Sequence, residues 1–149
     1  MKPANPRRLG STLASFCLLA STGPATAAPQ ALPVMMYEVV TETGMPHLEE
    51  NLRYAVRNER RCIDPQELST AFWMLGEVSL QDCKLAKSGS DAADSASYLL
   101  QCSGGYGTSG GAQWQLEPDR ITGMFKVRLG AKNMTFYQRI VARPIGACP

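Results

Sequence analysis

From residue 112 onward, apolar and polar side chains alternate one by one. Ala112, Trp114 and Leu116 interleave with Gln113, Gln115 and Glu117. Ile121, Phe125, Val127 and Leu129 then interleave with Thr122, Met124, Lys126 and Arg128. A period of two marks strands with one buried face. Between these runs, Glu117-Pro118-Asp119-Arg120 has the proline and aspartate of a type I turn. Residues 130–133 turn the chain again, and Met134, Phe136, Ile140 and Ala142 mark a last strand. Upstream, residues 34–43 (V-M-M-Y-E-V-V-T-E-T) are rich in β-formers without a breaker and predict a strand, ended by Gly44-Met45-Pro46-His47. Leu52, Tyr54 and Val56 alternate with Arg53, Ala55 and Arg57, which predicts a half-buried strand running towards Cys62.

One segment breaks this rhythm. In Asp64-Pro65-Gln66-Glu67, aspartate can accept from orphan amides, proline suits a first helical position and glutamate completes a capping box. A short helix is expected, fading by Trp73 before Gly76. Beyond it, residues 78–87 and 96–103 flank a polar spacer, 88–95, and predict a β-hairpin with one cysteine on each arm. The fold class is therefore mainly β: a single antiparallel meander, closed as a barrel or folded as a sandwich, with one short helix.

The first residues read as an address. Lys2, Arg7 and Arg8 make a basic start, residues 9–20 an apolar run, and Ala25-Thr26-Ala27 a small-residue cleavage site. Residues 1–27 are expected to be a signal peptide and 28–149 the single folded domain. The apolar run is too short to span a bilayer core as a helix. Phe16 before Cys17 argues against lipidation. The formal charge of +2 includes three leader bases, so the remainder is near neutral. Nucleic acid and an inserted membrane segment are not expected as partners.

Cys62, Cys83, Cys102 and Cys148 remain after the leader. An even number in an exported chain predicts two disulfides, and four cysteines allow three connectivities. The hairpin favours Cys83 with Cys102, leaving Cys62 with Cys148. Cys62 with Cys83 and Cys102 with Cys148 is the competing arrangement.

Several short signatures stand in a fixed order: Y-E-V-V-T-E-T at 37–43, G-M-P at 44–46, Cys62 and D-C-K at 82–84. Cys102, W-Q-L-E-P-D-R-I-T-G-M at 114–124 and a terminal R-P-I-G-A-C follow. In this order and cysteine spacing the chain resembles the DUF3617 family of exported bacterial proteins of unknown function. The resemblance covers nearly all of 28–149. It implies a periplasmic destination and no established activity, and it offers no catalytic residues to carry over.

Candidate chemistry is sparse. Gly107-x-Ser109-x-Gly111 matches a nucleophile elbow, and His47 could serve Ser109 as base in a serine hydrolase. Such an elbow needs a helix after the serine, where residues 112–117 read as a strand. Gly105-x-Gly107-x-x-Gly110 lacks the helix a dinucleotide fingerprint requires. Met35, Met36, Met45 and His47 could hold Cu(I), although methionines more often fill core gaps. Arg53, Arg57, Arg60 and Arg61, mixed with Glu49, Glu50 and Glu59, read as a solvated strand face. Trp73, Trp114 and Tyr106 are the candidate ligand or partner contacts, although a tryptophan on the apolar face of a strand, as Trp114 is, more often belongs to the core, and Tyr106 in its glycine loop is the better candidate. These readings favour a non-enzymatic envelope module that binds a small ligand or partner, with no cofactor, no metal and no catalytic residues.

Overall fold

A computed structural model describes residues 32–45, 54–89, 92–104, 107–130 and 134–149. The proposed leader, His47, Glu49, Glu50, Arg53 and Tyr106 lie outside them. Seven strands form one antiparallel sheet: β1 (Met35–Gly44), β2 (Tyr54–Ile63), β3 (Cys83–Lys87), β4 (Ser95–Cys102), β5 (Ser109–Glu117), β6 (Arg120–Leu129) and β7 (Met134–Gly146). Their order across the sheet is β2-β1-β7-β6-β5-β4-β3. β3 to β7 are the expected meander, except that the first hairpin arm, expected over 78–87, is strand only over Cys83–Lys87; Val78–Leu80 is a 3-10 turn whose Leu80 is drawn into the core with the rest of the β2–β3 connection. β1 then docks on β7, so the two terminal parts of the domain lie side by side. Among the described residues the order ends at β2 and β3, and the single sheet is closed neither as a barrel nor by a second sheet.

Alternation decides which face is buried. Val39, Trp114, Ile121, Phe125, Ile140 and Ala142 are all fully buried on one side of the sheet. What covers them is the connection from β2 to β3, residues 64–82, which crosses from one sheet edge to the other. Its inward side chains are Leu68, Phe72, Met74 and Leu80, all buried. The Phe72 ring stands 4.9 Å from that of Trp114 and 5.3 Å from that of Phe125.

The expected helix is here three short 3-10 turns, Leu68–Thr70, Trp73–Gly76 and Val78–Leu80. The aspartate closes a turn and caps no helix: Asp64 Oδ1 accepts from the Gln66 amide at 2.8 Å and its carbonyl accepts from Glu67 at 3.0 Å, while the first 3-10 turn has Glu67 at its N-cap position without a side-chain cap bond. Propagation stops because the inward residues are not helically spaced. In an α-helix Met74 would lie about 200° around the axis from Phe72. Extended backbone at Phe72 (ψ 113°) and Glu77 (ψ 145°) breaks the turns and keeps all four anchors on the sheet side.

β2 departs from expectation in its facing. Pairing with β1 sets Arg57 opposite Thr41 and Arg61 opposite Tyr37, on the covered face, and turns Val56 outward with 65% exposure. Arg61 donates to the Ala71 carbonyl at 2.8 Å and pairs with Glu59 at 3.5 Å. The Arg57 guanidinium lies 5.1 Å from the Trp73 ring centroid. At this edge the sheet meets backbone carbonyls and an aromatic ring of the cover, so donors and cations serve better than aliphatic side chains. The arginines read as solvated are thus split, with Arg57 and Arg61 gripping the cover and Arg60 facing outward.

Both disulfides of the favoured pairing are formed. Cys83 and Cys102 are direct cross-strand partners with Cα atoms 4.0 Å apart. Cys62 and Cys148, 5.8 Å apart at Cα, join the ends of β2 and of the chain past Met36 on β1. The cover leaves β2 just after one bridge and enters β3 at the other.

Candidate functional site

The cover does not fill the whole covered face. At the end of the sheet where β6 runs into β7, a cleft of about 270 Å³ remains between the two layers. β6 contributes Val127 and Leu129, β7 contributes Phe136, and Met45 follows β1. The cover closes the other side with Trp73, Met74 and Leu80, and Glu77 and Ser79 are the polar members of the wall.

Each wall element is held in place by a different force. Strand alternation sets Val127, Leu129 and Phe136 inward on adjacent strands. Met74 is tied through its amide to Oε1 of Gln138 at 3.4 Å, while Gln138 Nε2 donates to Thr43 Oγ1 at 3.0 Å. Gln138 is fully buried, and these two bonds satisfy an amide that would be costly unpaired. Trp73 is steadied by Arg57 on its ring, and its indole N–H is buried without a hydrogen-bond partner.

Of the candidate contacts, Trp73 is in this wall. Trp114 is fully buried, packed at a tilt of 41° against the Phe72 ring in the core, and does not line the cleft. Tyr106 and His47 lie outside the described residues. Met74, Leu80, Val127, Leu129 and Phe136 complete the site without having been singled out by sequence. The alternation of β6 and β7 marked three of them as inward, but nothing local indicated that the cover would stop short of them.

The other constellations come apart in space. Ser109 opens β5 opposite Arg128 and is followed by strand, and the next residue, Gly110, is pressed against the β6 backbone at Lys126 and Val127. A nucleophile elbow, which requires a strand-turn-helix, is absent there. Met35 and Met36 begin β1 and Met45 follows its last residue, so the thioethers are separated by about 30 Å of extended chain. They cannot share one copper ion. Among the described residues no group of three or more His, Cys, Asp or Glu could hold a metal, and no helix is long and apolar enough to cross a membrane.

The fold and cleft define a class: a disulfide-stapled β domain whose single sheet is covered on one face by its own β2–β3 connection. No family model, no curated protein and no solved structure matches the chain.

Proposed function

We propose that the protein is an exported, non-enzymatic binding module of the bacterial periplasm that takes a small apolar ligand in the cleft between cover and sheet. The carrying observation is the cleft itself, about 270 Å³ with a largely aliphatic, aromatic and thioether wall. Its volume is nearly twice that of the ~150 Å³ apolar cavity that accepts benzene, and binding sites for small molecules are characteristically concave and apolar with few polar groups. Two disulfides fit an oxidising compartment. The basic, apolar, small-residue leader and the DUF3617-like order of motifs support export to the periplasm.

Trp73 provides the readout, since the other tryptophan is sealed in the core. Titration with the uncharged dye N-phenyl-1-naphthylamine should quench tryptophan emission in the parent and raise the dye's own emission over the same concentrations, with the larger share of the quenching lost in Trp73→Phe. Leu129→Trp, which fills the cleft, should abolish dye binding, and Ser109→Ala should not affect it. Dye binding of equal strength in the Leu129→Trp variant would refute the cleft as the site. Labelling of Ser109 by a fluorophosphonate would revive the hydrolase reading.

A further inference from the structure

We infer that the outer face of the sheet, the one turned away from the cover, docks on an anionic lipid bilayer. Strand parity sets six exposed cations there: Arg60 on β2, Arg139 and Arg143 on β7, Lys126 and Arg128 on β6, and Lys84 on β3. Glu38 and Glu42 of β1 offset two of them, and Arg120 and Glu117 neutralise each other in an ion pair of 2.7 Å. Lys126 and Arg128 have no acid in register, since Lys126 faces Gly111 and Tyr137 and Arg128 faces Ser109 and Thr135.

The opposite side carries the opposite sign. Residues 64–82 contain Asp64, Glu67, Glu77 and Asp82 and no lysine or arginine. On the covered face of the sheet itself Arg57, Arg61 and Lys87, set against Glu59, offset part of this charge and leave the side net acidic. A domain of near-zero net charge is therefore a dipole, with its positive pole on the outer face of the sheet and its negative pole on the cover. This separation steers and orients the molecule at a charged surface even though the net charge attracts nothing.

The outer face is not purely basic. Val40, Val141 and Met124 are half-buried among the cations, and Val56 and Leu99 stand 65% and 57% exposed on its flanks. Cations mixed with apolar side chains suit the boundary between anionic headgroups and acyl chains, where charge attracts and apolar area holds. A soluble polyanion would use the cations alone. Docked this way, the acidic cover turns away from the membrane. The inference is independent of the apolar-ligand reading of the cleft.

Sedimentation of the purified exported protein with vesicles tests it. Vesicles of equal parts phosphatidylglycerol and phosphatidylcholine should bind it at low salt and release it at high salt, and phosphatidylcholine alone should not bind it. Lys126→Glu with Arg139→Glu should weaken binding by about 20-fold or more, since each cation near an anionic surface is worth about fivefold. Lys126→Ser with Arg128→Ser, a milder change at exposed positions, should weaken it in the same direction. Glu67→Gln on the cover should leave it unaltered. Equal binding to both vesicle types, retention of binding in both outer-face variants, or capture by dextran sulfate without capture by the anionic vesicles would each overturn the inference.

Discussion

A β-carbon on Gly123 would stand 2.5 Å from the ring of Trp114, its cross-strand neighbour on β5. The absent side chain is the seat of the largest residue in the core. Gly123→Ala should therefore cost about 1–3 kcal/mol by overpacking, read as a lower urea midpoint. Gly76→Ala, where nothing lies within 4 Å, should change stability little. Tyr37 offers a second check, because burial pushes its phenol above the ordinary value near 10. The folded chain then holds this proton more tightly than the unfolded chain. Its contribution is intact below pH 10 and is lost as pH rises through the folded value. Tyr37→Phe should flatten the corresponding alkaline fall in stability, measured by denaturation across that range. Trp114 on an apolar strand face was legible as a core residue from its alternation. That Gly123 makes room for it was not, because the register joining them follows from a hairpin turn and not from either residue alone.

Strands β4 to β7 of the meander could be read almost residue by residue, since each has one buried face and a strict period of two, whereas the arm read as 78–87 took in residues 78–82, which belong to the cover. Two elements could not. In β2 the outward position of Val56 contradicts its hydrophobicity. The facing of an edge strand is decided by its register with β1 and by what the cover presents to it, a carbonyl for Arg61 and a ring for Arg57. The cover itself has the start signal of a helix, but its anchors at 68, 72, 74 and 80 follow no helical period, and the demand to bury all four wins. Phe72 is the central anchor, touching both Trp114 and Phe125. Phe72→Ala should cost about 3–5 kcal/mol, within the range for deleting a buried aromatic ring. Because the cover also walls the cleft, the same variant should raise hydrogen exchange across 64–82 more than across β6 and β7. Uniform loss of protection over the whole sheet would mean that the cover is not a separable layer.

Across the whole molecule the two bridges constrain the same segment from different distances. Cys83–Cys102 closes a local hairpin with a sequence separation of 19, and Cys62–Cys148 ties the chain end to β2 with a separation of 86. The hairpin pairing was legible because its two arms are adjacent in sequence and symmetric about a polar spacer. The long bridge followed only by subtraction, since the docking of β1 on β7 that brings its ends together joins opposite parts of the domain. Chain entropy assigns the long loop about 4.6 kcal/mol and the short loop about 3.2 kcal/mol. Replacing Cys62 and Cys148 together by Ala should therefore destabilise the fold more than replacing Cys83 and Cys102, by about 1.4 kcal/mol, or tenfold in the unfolding equilibrium. Both double variants should still form the remaining bridge, seen as one linked peptide pair in a non-reducing digest. Urea denaturation of the two variants side by side decides the order. A larger loss on removing the hairpin bridge would show that it holds native structure locally, at the junction of the cover and β3, and does not act mainly by restricting the unfolded chain.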